Sequence, residues 1–354
     1  VAGSDKGSIE ILGTVTSSNL FSNSGTIKVT SGTLNNSSIL NNDDLFIVNG
    51  DVKLLKTSNL TNASVIKVYK LLRNYGTLTN NLTFTTFDSS TLENYNIFTN
   101  STNGIITTSN NFTNKGLNAT NSDSVDLSGI TGTITNSGNI IHSRSSFINL
   151  GLITNQNSIV NNASLTNSGT ITNNSTKTIT NNNTFINNNI LNNEGTLNNT
   201  HTTGIMTNNL TFNNKSTGTL NNYGTLTVQT AGTLTNIGTF NNTKTSAEIN
   251  ATLSIIGNLI NQTNATLLNT GDIKNETNGT ITNPGTIDNR LLLVNNSTIN
   301  TNGFLLNKST GSLINKLILN NNTSGTLDND GTLTNSTGGT LNNYATFIND
   351  NLIK

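Results

Sequence analysis

Apolar side chains in this chain return at steps of six or eight residues, and that beat constrains the fold more than any other feature. From Val48 the series runs Leu54, Leu60, Ile66, Leu72, Leu78 and Phe84, all six apart. It continues through Leu92, Phe98, Ile106 and Phe112, with eights and sixes alternating. Upstream, Val15, Phe21, Ile27, Leu34, Leu40 and Phe46 keep nearly the same interval. Phe147, Ile153, Ile159, Leu165 and Ile171 hold it at six, and from Leu267 to Ile353 only sixes and eights occur. A helix places apolar residues three and four apart, and a long strand alternates at two. A step of six to eight fits a very short strand, a corner and another short strand, wound repeatedly.

Residues 216–228, S-T-G-T-L-N-N-Y-G-T-L-T-V, carry the unit twice. Period-two alternation turns Leu220 and Leu226 inward and the threonines outward. Asn221, Asn222 and Gly224 are expected at the corners, because Asn and Gly tolerate left-handed backbone. Three steps make about 20 residues, one coil with three faces. Tyr223 and Tyr344, in two copies of the phrase, lie 344 − 223 = 121 residues apart, close to six such coils. The expectation is an all-β chain, a parallel β-solenoid with three faces. It would hold roughly 17 coils in a rod on the order of 80 Å. Two-faced coils of about 14 residues are the alternative, since many steps pair as six plus eight. The chain reads as a single domain, 1–354, with an irregular coil or insertion near 116–131, where Asp123 and Asp126 sit.

Composition supports order. Hydrophobic residues are 32% and charged residues 10%, while asparagine fills about a fifth of the chain. Disorder usually carries high net charge and no apolar period; here the net charge is zero and the period is strict. Stacked in-register strands explain the preference for Asn over charge: identical amides form ladders, whereas identical charges repel. There is no Cys, so no disulfide framework exists, which suits export in an unfolded state. No run approaches a membrane helix, and Val1-Ala2-Gly3 shows no signal-peptide pattern, so a processed N-terminus and a cytosolic protein both fit. Balanced charge without a basic tract gives no footprint for nucleic acid or an acidic membrane. The beat runs from Ile9 to Ile353 without the polar or helical cap that solenoid edges normally carry. That predicts either a longer polypeptide or subunits that stack end to end.

The search for chemistry is mostly negative. His142 and His201 lie far apart with no Cys, so neither suits a zinc site and both are expected at the surface or at corners. Asp43, Asp44, Asp123 and Asp126 read as solvated corner carboxylates. Sugar hydrolysis needs two carboxylates at a fixed separation. Asp88 with Glu93 and Asp272 with Glu276 are the candidates, but neither pair lines up with Arg73, Arg144 or Arg290. Phosphate loops and nucleophile elbows are missing, and no catalytic, cofactor-binding or metal residue is expected. Asn-x-Ser/Thr sequons are numerous, close to chance at this composition. Thr-x-Thr pairs at 170–172 and 178–180, and at 225–227 and 233–235, are eight apart, hence on adjacent faces. A flat ice-binding face needs them about one coil apart, so they read as exposed strand residues.

The phrase Asn-x-Gly-Thr-Ile/Leu, at 23–27, 74–78, 167–171, 222–226, 283–287 and 329–333, resembles the repeats of filamentous-haemagglutinin-like exoproteins and autotransporter passenger domains. The resemblance covers most of the chain and implies a right-handed parallel β-helix, export across a Gram-negative envelope and a part in adhesion or surface structure. The chain departs from those families in showing no recognisable secretion domain and no membrane barrel. The functional expectation is a non-enzymatic extracellular or cell-surface β-solenoid, a rod or filament with an adhesive role. Its expected partners are further copies of itself and host or neighbouring-cell surfaces or glycans, with no cofactor, no nucleic acid and no membrane insertion. The alternatives are a glycan-binding or glycan-cleaving β-helix and an ice-binding protein.

Overall fold

The computed structural model describes residues 7–115, 132–200, 203–244 and 250–354. The fold is all-β, a parallel β-solenoid of about 16 turns with about 20 residues in each. It falls into two compact units, Val1–Ile171 and Thr172–Lys354. The insertion expected at 116–131 lies outside the described residues.

In the first unit the first sheet runs from Ser8–Ile11 to Ser158–Asn161, the second from Thr14–Ser17 to Ser164–Asn167, and the third from Phe21–Asn23 to Leu152–Asn155. In the second unit the corresponding sheets run from Thr178–Asn181 to Thr346–Asn349, from Thr184–Asn187 to Thr332–Asn335, and from Ile190–Asn193 to Thr340–Asn343. Within each unit, and among the described residues, consecutive strands do not pair with one another; a strand pairs in parallel with the strand three places on.

One strand shows the grammar. In Thr77–Asn80 the two threonines are half-buried, and Leu78 and Asn80 are fully buried. Alternation therefore sends the second and fourth residues inward. The second is the apolar beat; the fourth is most often Asn. Leu78 sits in register between Leu60 and Phe98 of the neighbouring coils, and Phe112 stacks on Phe147 with centroids 4.5 Å apart. Each inward Leu, Ile or Phe contributes roughly 1.5–3 kcal/mol on burial. A single coil leaves both edges of that core open, so its neighbours must close it.

Corners come in two main lengths, which explains the two steps. Tyr75-Gly76 joins two strands with two residues and gives a step of six. Residues 215–218 form a four-residue corner and a step of eight, closed by the Gly218 N–H donating to the Lys215 carbonyl at 2.8 Å. A coil with three short corners has 83 − 65 = 18 residues, from Val65 to its register partner Thr83. The next, with two long corners, has 105 − 83 = 22. Six plus eight is thus a pair of corner lengths, not a two-faced coil.

Three sequence expectations need correction. Tyr223 follows a strand of the first sheet and Tyr344 a strand of the third, so 121 residues is not a whole number of coils. Asn221 and Asn222 do not turn the chain: they are the third and fourth residues of a strand, and Asn222 is fully buried. Left-handed backbone belongs instead to third corner residues such as Thr176 (φ 66°) and Asn278 (φ 72°). A glycine such as Gly331 answers close approach, because a Cβ there would lie 2.3 Å from the Gly311 carbonyl oxygen in the coil before.

Candidate functional site

The most repeated polar arrangement is inside the coils. In the third sheet of the second unit Asn193, Asn214, Asn236, Asn261 and Asn283 are fully buried and joined Nδ2 to Oδ1 at 2.7–2.8 Å. Each amide also answers the corner. Asn214 Nδ2 donates to Asn236 Oδ1 at 2.7 Å, to the Thr239 carbonyl at 2.9 Å and to the Gly218 carbonyl at 3.2 Å. Two hydrogens serve three acceptors, so one is shared. A buried carbonyl left alone would cost about 1–3 kcal/mol. Asparagine is the side chain that joins coils and closes corners together.

The ladders have a direction. In each case above, the earlier coil donates and the later accepts. At four places among the described residues where a ladder is broken, the first asparagine after the break is left without a donor. Asn36 follows Ser17, Asn74 follows Leu54, Asn275 follows Ile255 and Asn321 follows Thr301. The Oδ1 atoms of all four are buried without a hydrogen-bond partner.

In the first sheet of the first unit the fourth position changes character along the stack. It reads Ile11, Val29, Val48, Val68, Thr86, Thr108, His142 and Asn161. The sequence places His142 at the surface or at a corner; the structure puts it at the end of a strand and buries it completely. Its Nδ1 lies 2.9 Å from Thr108 Oγ1. Which of the two donates follows the imidazole tautomer, and Nε2 on the far side of the ring is buried without a side-chain partner. Burial pushes the imidazole below the usual histidine pKa, against the pull of the Ser145 and Ser164 backbone. His201 lies outside the described residues.

Outside, among the described residues, a cluster of charged and aromatic side chains lies on the second sheet of the first unit. Arg73 Nε and Lys115 Nζ meet the two Glu93 oxygens at 2.8 and 3.0 Å. Tyr95 stacks on Tyr75 at 4.5 Å, its hydroxyl 3.5 Å from Glu93 Oε2 and its ring 5.3 Å from the Lys115 ammonium. Burial opposes the Glu93 charge, but the bonds to Arg73 and Lys115 outweigh it and hold the carboxyl below its usual range. Burial, and then the Glu93 charge, push Tyr95 up to about 12. Glu93 is ionised with both oxygens bonded, and Tyr95 holds its proton. The cluster is a clasp between coils and offers neither a general acid nor a base near neutral pH.

The other sequence candidates stay apart. Asp88 pairs with the exposed Arg144 at 3.1 Å rather than with Glu93. Asp272 and Glu276 accept from Asn250 and Asn296 respectively, each at 3.2 Å, and Arg290 forks onto Asp288. All three arginines therefore meet carboxylates, which sequence spacing alone does not reveal. Asp43 is exposed and Asp44 half-buried; Asp123 and Asp126 lie outside the described residues. Among the described residues no three His, Asp or Glu are grouped to hold a metal, and no helix is long and apolar enough to cross a membrane.

Thr225/Thr227 and Thr233/Thr235 do fall on adjacent sheets. Single threonines nonetheless line up: Thr178, Thr196, Thr219, Thr239, Thr266 and Thr286 are in direct register on the first sheet of the second unit. Beside them Asn241 and Asn221 donate to Asn221 and Asn198 at 2.8 and 2.9 Å, opposite in sense to the inner ladders. No protein-family model matches the chain, and no curated protein matches its sequence.

Proposed function

We propose that this chain is a non-enzymatic structural β-solenoid of a cell surface, serving as a rod or filament with an adhesive role. The observation that carries it is where the polar side chains go. The inner amides are consumed between coils, and the outer faces repeat uncharged Thr and Asn in register, offering many weak contacts rather than one reactive site. The resemblance of the Asn-x-Gly-Thr-Ile/Leu phrase to exported bacterial β-helix repeats supports the same location, and end-to-end stacking of copies is its filament form. The test is protease shaving of intact producing cells, with binding of the purified chain to cells and electron microscopy of the bound material. Cleavage from intact cells and saturable binding are expected; confinement to the soluble interior without binding overturns the proposal.

A second reading, binding of glycans, is favoured by Tyr69 and Phe87. Their rings stack at 4.2 Å and 6° on successive coils, and Tyr69 is 40% exposed. Sugars pack on such apolar rings, so loss of glycan-array signal in Tyr69→Ala is the outcome that supports it.

A further inference from the structure

The inner ladders and the glycosylation sequons share residues. A four-residue corner begins directly after the ladder asparagine, and its second residue is commonly Ser or Thr. The result is Asn100-Ser101-Thr102, Asn214-Lys215-Ser216, Asn261-Gln262-Thr263, Asn275-Glu276-Thr277 and Asn307-Lys308-Ser309. Each is an Asn-x-Ser/Thr acceptor by sequence, and each of these asparagines is fully buried.

N-glycosylation forms a bond between Nδ2 and the anomeric carbon of an activated sugar; one Nδ2 proton and the donor's phosphate leaving group depart. Nδ2 is the atom that carries the ladder. Asn100 Nδ2 donates to Asn136 Oδ1 at 2.8 Å, to the Gly104 carbonyl at 3.0 Å and to the Asn139 carbonyl at 3.2 Å. Asn307 Nδ2 donates to Asn329 Oδ1 at 2.6 Å and to the Thr332 carbonyl at 3.0 Å. A sugar there would take one of the two hydrogens and require room where the close-packed interior has none. Once the coils have closed, these sequons are out of reach. Asn59, Asn111 and Asn250 also begin sequons but are exposed.

We infer that this protein must fold before, or away from, any machinery that N-glycosylates unfolded chains. A secretory route that modifies nascent sequons is incompatible with this fold, wherever the mature protein resides. This inference is independent of the adhesive role.

The test expresses the full chain in a bacterial cytosol lacking N-glycosylation and through a eukaryotic secretory pathway. The cytosolic product is expected to show β-type circular dichroism and protease resistance. The secretory product is expected to carry glycan at Asn100, Asn214 and Asn261 by peptide mapping, and to be protease-sensitive. Replacing the hydroxyl residues, as in Thr102→Ala, Ser216→Ala and the equivalent change at every ladder sequon, leaves each amide in place and should restore the folded product. A folded secretory product, with ladder sequons either bypassed or occupied, overturns the inference. So does failure of those variants to regain the fold in that pathway while they fold in the cytosol.

Discussion

Ile255 lies directly before Asn275 in the second sheet of the second unit, and Asn275 Oδ1 is buried without a hydrogen-bond partner. Val228 precedes Ile255 in the same column, so two aliphatic residues interrupt a ladder that arrives at Asn208 and resumes at Asn275. Val228→Asn and Ile255→Asn together should join the two segments, whereas either alone leaves new unpaired amide atoms. A double-mutant cycle in urea is expected to show a favourable coupling of about 1–2 kcal/mol. Additive effects would mean that the bridge does not form.

Within a continuous ladder, Asn236 tests what the amide supplies. Asn236→Ala strands the Asn261 Oδ1 and the Thr266 carbonyl, at about 2–4 kcal/mol. Asn236→Asp should be worse at neutral pH, since a carboxylate would face those same two oxygens with no hydrogen to offer. Burial and these oxygens raise the Asp pKa, so its deficit should shrink as pH falls, and thermal melts at pH 7 and pH 4 read the difference.

His142 gives a pH dependence of the other sign. Its pKa is lower in the folded chain than its ordinary 6.5, so the unfolded chain takes the proton first. The stability linked to this group is complete above about pH 6.5 and is lost progressively as pH falls toward the folded-state value. His142→Asn, which also supplies an amide between Thr108 and Asn161, should flatten the denaturation midpoint between pH 7 and pH 5.

The Glu93 clasp responds in a more acidic window. A carboxyl held below its ordinary 4.5 stabilises the fold above that pH and loses the contribution as pH falls through its folded pKa. Glu93→Gln should cost about 1–2 kcal/mol at pH 7, reduced from the fully buried case by partial exposure. The wild-type advantage should disappear in acid. In the wild type, Tyr95 should resist phenolate formation until about pH 12, visible as a late step in ultraviolet titration.

Thr176 holds a left-handed backbone at φ 66°, which a β-branched side chain resists. Thr176→Gly should raise stability by about 0.5–1 kcal/mol despite the greater freedom of glycine when unfolded. A fall in the midpoint would show that the Thr176 side chain contributes more than its backbone costs.

The apolar beat was legible in sequence because strand length is uniform and the second residue is reliably Leu, Ile or Phe. The inward role of Asn222 was hidden, because local propensity assigns Asn to turns and only the neighbouring coil converts it into a ladder. Face assignment failed for Tyr223 and Tyr344 because all three sheets use one phrase. Arg73 and Glu93 meet at an offset of 20, but coils of 18 and 22 residues occur beside it. Such pairs become visible only once the corners are known.

The one-way sense of the inner amides makes this a vectorial architecture. A part-built stack growing from its N-terminal coils presents N–H groups at its advancing edge; one growing from its C-terminal coils presents carbonyl oxygens. Each finished coil is therefore a polarised template for the next, and a reversed segment would meet it donor to donor. Chain direction is written into the interior, so that assembly can proceed like a ratchet, one coil licensing its successor.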